Sequence, residues 1–324
     1  MTGQSAIQSV AREFITGISI CLVIFSATLY LPLMGFFLAL VLPMPITFYR
    51  LKLGRNLGAA MMAIILAVIA GTTSGAPLDL LFFGSLLFTG FFLGEFIEMH
   101  VSIERTAIFT CAASMGTCFL LFFLYTLTTG QNMIQLVSGY VSANLEMTLG
   151  LYSEMGIPQE SIDLVARSMD TIKYIMVRII PALFFVMTMM VVWVNTLFIK
   201  KILTKKGIHL PQLENLNRWR APEKLVWPVI IFILLLLVPI PSNVLKILGL
   251  NCILAVMPIY FFQGIAVVSF VLEKRSFPRL LRLFIYSIIA IQQIFVFVVV
   301  GLGFFDTWID FRKLGTMGEG KEQE

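Results

Sequence analysis

The run LKILGLNCILAVMPIYFFQGIAVVSFVL, Leu245 to Leu272, decides the fold, because Lys246 is its one charged residue. As a helix it would measure about 42 Å, more than the roughly 30 Å of hydrocarbon in a bilayer. Working outward, eight further apolar runs lie between charged or turn-forming residues, at about 14–31, 33–49, 57–74, 79–98, 106–129, 173–199, 225–241 and 281–304. Together they predict an all-α, polytopic integral membrane bundle of about nine transmembrane helices, with eight as the alternative. The composition agrees. Of 324 residues, 59% are hydrophobic and 13% charged, against an apolar share of about 45–50% in soluble domains. Such a chain is not a nucleic-acid-binding domain, a secreted disulfide scaffold or a conventional cytosolic enzyme, despite its net charge of +5. The first two runs meet at Tyr30-Leu-Pro-Leu33 and read as a tight hairpin or as one bent segment. Arg12 ahead of an apolar stretch has the look of a signal peptide, but a second apolar stretch follows at once, so it is read as an uncleaved first span.

Lys and Arg set orientation, because short cytoplasmic loops carry the excess. With the N-terminus inside and nine spans, sixteen of the 23 basic residues fall inside and seven outside. The last span then leaves Arg312 and Lys313 outside, which keeps an eight-span arrangement with the C-terminus inside open. The chain reads as a single membrane domain, 1–324, with two long loops. Residues 130–172 form an outer amphipathic helical insertion. Its apolar residues Ile134, Val137, Val141, Leu145 and Tyr152 keep helical spacing, and Gly156-Ile-Pro158 marks a break before a second helix. Residues 200–224 form a basic cytoplasmic loop carrying Trp219.

Catalytic and cofactor signatures are missing. His100 and His209 stand apart without metal-ligand spacing. Cys111 and Cys118 lie about 10 Å apart along one helix, too far for a disulfide. No Gly-rich phosphate loop is present. The expectation is a protein without cofactor, metal or enzymatic activity.

Polar residues inside spans are costly in hydrocarbon and so carry more information here than any motif. Glu95 and Glu98 end the fourth run one turn apart, where Glu95 is the deeper and suits a proton or cation site or a plain interfacial position. Gly90 and Gly94 permit close helix contact. Arg178, one turn before Pro181, suits an anionic group near the outer side, the lipid headgroups or an acidic partner. In 245–272, Tyr260, Gln263, Gly264 and Val267 share a face offering a phenol, an amide and a gap. That face suits either a neutral polar ligand or interhelical hydrogen bonding. The candidate ligand-binding set is therefore Arg178, Tyr260, Gln263, Gly264 and Glu95.

Three segments carry a resemblance: Arg218-Trp-Arg-Ala-Pro-Glu-Lys-Leu-Val-Trp227, Tyr260-Phe-Phe-Gln-Gly-Ile-Ala-Val-Val-Ser-Phe270 and Phe305-Asp-Thr-Trp-Ile-Asp-Phe-Arg-Lys313. With Arg178-Ile-Ile-Pro181 they resemble the YybS-like family of uncharacterised bacterial membrane proteins. The resemblance implies a multi-pass protein of the bacterial inner (plasma) membrane and no particular activity. More distantly, the opening hairpin and early layout resemble the substrate-binding membrane subunits of energy-coupling-factor transporters and the rod-shape protein MreD. The expected function is binding or transport of a small solute, as a transporter or a membrane-embedded binding subunit. A structural or scaffold role in the cell envelope is the alternative. The expected partners are the lipid bilayer, a small-molecule solute and a membrane protein, with no nucleic acid.

Overall fold

Prolines open several helices, as suits a residue with no backbone N–H to satisfy in the first turn. In a computed structural model of the chain, described over residues 3–72, 77–205, 216–239 and 242–312, Pro32 opens α2 (Pro32–Val41), Pro43 opens α3 (Pro43–Leu53) and Pro77 opens α5 (Pro77–Glu98). The other elements are α1 (Gly3–Tyr30), α4 (Arg55–Thr72), α6 (Ile103–Thr129), α7 (Met133–Glu154), α8 (Gln159–Arg167) and α9 (Met169–Lys205). They are followed by α10 (Val226–Leu237), α11 (Asn243–Lys274), α12 (Arg279–Ile291) and α13 (Gln293–Ile309). Among the described residues there is no strand. The all-α reading holds. Residues 206–215 of the basic loop, including His209, lie outside the described residues.

Among the described residues, seven helical segments are long and apolar enough to cross a membrane: Ile7–Tyr30, Met34–Leu53, Arg55–Thr72, Leu78–Glu98, Ile103–Thr129, Met169–Lys205 and Asn243–Lys274. The pair α12 and α13 is bent by 104° and makes an eighth only if counted as one span. Two of the nine expected spans therefore differ. The run 225–241 yields a helix of 12 residues, about 18 Å long, because Pro239 drives Val238 into extended backbone (φ −73°, ψ 133°) and ends it. The run 281–304 breaks at Gln292, which is also extended (φ −99°, ψ 110°).

Contacts gather the chain into two compact units, residues 1–180 with 187–212, and residues 181–186 with 213–324. In the first, α1, α3, α4 and α5 enclose a core of Cys21, Phe25, Leu42, Ile46, Met61, Ile65, Leu86 and Leu87, joined by Val191 of α9. Seven of those residues are wholly buried, and completely burying each large apolar side chain contributes about 1.5–3 kcal/mol. Helix α3 lies in the Gly90/Gly94 groove of α5, where a Cβ on Gly90 would stand 2.6 Å from the Pro43 carbonyl oxygen. Thr47 closes that contact by donating to the Gly90 carbonyl at 2.9 Å.

Within 130–172 the chain forms α7 and α8, and from Met169 it already belongs to α9. Asn132 caps α7 by accepting from the Ile134 amide at 2.9 Å, and Gly156 supplies the left-handed turn (φ +72°) between the two helices.

In the second unit, α11 packs against α10 and α13. Tyr260, Val226 and Val229 form its apolar centre, with Val256, Val300 and Phe304 around them. The chain turns at Asp310, left-handed with φ +45°, a conformation that Asp tolerates better than most residues. That turn aims Arg312 back along α13.

Candidate functional site

The expected site residues divide between the two units. Glu95 and Arg178 belong to the first, and Tyr260, Gln263 and Gly264 to the second.

In the second unit, the polar face of α11 is met by α13. Gly264 offers no open gap, since a Cβ built there would lie 1.9 Å from the Val299 carbonyl oxygen. Gly303 is its counterpart, with a Cβ 1.9 Å from the Tyr260 carbonyl oxygen. The two glycines let the backbones touch. Gln263, 1% exposed, donates through Nε2 to Asp306 Oδ2 at 3.0 Å and accepts from the Ala221 amide at 3.2 Å. The phenol of Tyr260 is buried with no hydrogen-bond partner, and its ring packs edge-on against Phe304 at 5.2 Å.

Two charged residues complete this cluster. Asp306 and Arg312 are both wholly buried, and Arg312 Nη2 lies 2.6 Å from Asp306 Oδ2. The other arm of the guanidinium, Nη1, donates to the carbonyls of Asn217 at 3.0 Å and Trp219 at 2.9 Å. Asn217 in turn donates to Glu273 at 2.5 Å, and Arg220 pairs with Asp310. A buried ion pair is tolerable only when such additional bonds satisfy it. The cluster ties the end of α13 to the segment 217–221 and, through Asn217, to the end of α11.

In the first unit, Glu95 is paired rather than poised for a ligand. Arg50 Nη2 contacts Glu95 Oε2 at 2.5 Å, and Nη1 contacts Glu98. Arg50 is 1% exposed, held between Gly58 and Gly94, where a Cβ on either would come within 2.8 Å of its side-chain carbons. Arg55 adds a longer contact to Glu95 at 3.8 Å. Arg178 is exposed and folds onto its own helix, with its guanidinium carbon 3.5 Å from the centre of the Tyr174 ring and Nη1 donating to the Tyr174 carbonyl at 3.1 Å.

A cleft of about 520 Å³ opens elsewhere in the first unit, between the start of α5 and α7. It is lined by Leu78, Gln131, Gln135, Leu136, Gly139, Tyr140 and Ala143. Two amides and a phenol face a largely apolar wall, and among the described residues no charged side chain lines it. A Cβ on Gly139 would meet nothing within 4 Å. None of these residues belongs to the set expected from sequence, which was drawn from polar positions inside the spans. Among the described residues, no three His, Cys, Asp or Glu side chains come together to hold a metal ion.

A family profile described as "Predicted membrane protein (DUF2232)" matches residues 19–307, from within α1 almost to the end of α13. The chain belongs to the DUF2232 family. This DUF2232 chain is also similar to the uncharacterized protein YybS of Bacillus subtilis (strain 168), at 20% identity over 303 residues, covering 91% of the chain and 94% of the relative. No solved structure matches it. The DUF2232 match includes Arg50, Glu95, Gln263, Asp306 and all seven cleft residues, and stops short of Arg312.

Proposed function

We propose that this protein binds a small, uncharged, partly apolar solute in the bacterial inner membrane, as a transporter or as its membrane-embedded binding subunit, without chemically altering it. The cleft beside α7 carries the reading. Its volume of about 520 Å³ falls within the roughly 300–1,000 Å³ of small-molecule sites, and its wall is the usual apolar one with few polar groups. Gln131, Gln135 and Tyr140 supply both hydrogen-bond donors and acceptors. The lack of charge in the lining disfavours ions and strongly ionic solutes, because a desolvated charge needs a partner.

Gly139→Leu tests this directly. A Cβ on Gly139 meets nothing within 4 Å, and exchanging glycine for leucine favours the helix, so the variant is expected to fold, checked by its melting temperature, with the added side chain directed at the cleft. Small molecules that copurify with the detergent-extracted protein are identified by mass spectrometry. A solute near one per chain in wild type, reduced at least tenfold in Gly139→Leu, supports the proposal. Identical small-molecule profiles favour the second reading, a scaffold of the cell envelope. That reading draws support from Glu95 and Gln263, whose polar groups are engaged within the chain itself.

A further inference from the structure

The chain leaves α11 at Lys274 and reaches Arg312 after α12 and α13, yet both ends of this passage meet one residue. Asn217 donates to Glu273 at 2.5 Å, and its carbonyl accepts from Arg312 at 3.0 Å. A single crossing would separate those ends by about 30 Å of hydrocarbon. Residues 274–312 therefore enter and leave from the same membrane face. Helix α12 has 13 residues, about 20 Å, too short to cross, and it stands at 104° to α13.

Its sequence suits a helix that starts among headgroups and is lipid-facing along one side. Leu280, Phe284 and Ile291 form one exposed stripe, at 81%, 62% and 78% exposure, while Arg279, Arg282 and Tyr286 occupy another. Because α13 passes Gly264 within the hydrocarbon before ending at that same face, α12 dips from the elbow into lipid, its apolar stripe among acyl chains and the cations of its first turn near headgroup level. The elbow before it adds Lys274 and Arg275, both exposed, and Ser276 makes the turn left-handed (φ +51°). Arg282 donates through Nε to the Phe277 carbonyl at 2.9 Å, fixing its guanidinium at the elbow. Against these four cations stands Glu273, which already accepts from Asn217.

We infer that the elbow Lys274–Arg282 is a binding site for anionic phospholipid, with the headgroup phosphate at Lys274, Arg275 and Arg279 and the acyl chains along Leu280 and Phe284. Cations near a membrane surface each add attraction worth about a fivefold preference for anionic lipid.

Native mass spectrometry of the full chain, released from detergent with equal phosphatidylglycerol and phosphatidylcholine of matched acyl chains, tests this. Wild type should retain phosphatidylglycerol preferentially, and Arg275→Gln/Arg279→Gln should lower that preference about fivefold per charge removed. Lys246→Gln, at the opposite end of α11, should leave it unchanged. In wild type, spin-labelled phosphatidylglycerol in mixed-lipid nanodiscs should lose its excess immobilised fraction as salt rises from about 0.05 to about 0.5 M, a readout that needs no variant. Equal retention of the two lipids, a preference that survives the double substitution, equal loss in Lys246→Gln or insensitivity to salt would overturn the assignment. So would full displacement by soluble glycerol phosphate, which would make the site one for a free phosphate.

Discussion

Arg312 reaches back six positions to set its guanidinium 2.6 Å from the Asp306 carboxylate, with both side chains at zero exposure. Removing one partner leaves the other charge buried and alone, which typically costs about 3–5 kcal/mol, whereas replacing both by apolar residues costs far less. Arg312→Met and Asp306→Leu should each lower the thermal unfolding temperature in detergent substantially. The double variant should recover most of that loss. Simple additivity of the two single effects in a double-mutant cycle would show that the pair is not coupled.

The close approach of α11 and α13 makes a second expectation. Alanine at Gly264 or Gly303 puts a Cβ 1.9 Å from a backbone carbonyl oxygen, and backbone cannot swing aside as a flexible side chain can. Each should destabilise by at least the 1–3 kcal/mol or so usual for overpacking. Gly116→Ala and Gly301→Ala, where a Cβ meets nothing within 4 Å, should be neutral or slightly stabilising through helix propensity. Yield and melting temperature of the four variants, measured side by side, check the contrast.

Arg50 distinguishes its two carboxylates by burial. Glu95 is 22% exposed and Glu98 58%, so water screens Glu98 far more. Glu95→Gln should destabilise clearly more than Glu98→Gln, and Arg50→Met more than either, because the cradle of Gly58 and Gly94 is shaped around the arginine stem. Equal melting temperatures for the two glutamine variants would count against this ranking.

The side of the C-terminus is open to direct measurement. In a chain whose four cysteines are replaced by alanine, cysteines at Lys274 and Lys246 should react with a membrane-impermeant maleimide from opposite faces. A reporter fused after the last residue should share the face of Lys274. Agreement with Lys246 instead would restore a crossing within residues 274–312.

The helical class was legible because apolar runs near membrane length carry their own signature, and α4, α5, α6 and α11 follow it closely, while α1 begins well ahead of its run at 14–31. The count was less legible. Pro239 shortens α10 and Gln292 breaks the final run, and hydropathy alone registers neither as a stop. Gln263 stands out in the sequence as a polar residue in hydrocarbon, but its partner does not, since Asp306 lies just past the end of the apolar run and Arg312 reads as a loop cation. Arg50 stands just past the apolar run 33–49 and by the same pattern reads as a loop cation, although α3 continues through it. A sequence states how costly a buried charge is; only the approach of a distant segment states what offsets it. The cleft is not legible in this way because, apart from Leu78 and Gln131, its lining occupies the face of α7 opposite the one that keeps the apolar spacing.

The pairing of Arg50 with Glu95 has a consequence for biogenesis. The ribosome adds Glu95 45 residues after Arg50, so α3 meets lipid while its counter-ion does not yet exist. An unpaired arginine opposes insertion by up to about 2.5–3.5 kcal/mol at the centre of a helix, and by less near an end. Helix α3 should therefore linger at the insertion machinery until α5 emerges, and the two should enter the bilayer together, with α4 held between them. Nascent chains whose exposed part ends before Gly94 should still cross-link from α3 to the insertion machinery, whereas those exposing Glu98 should not.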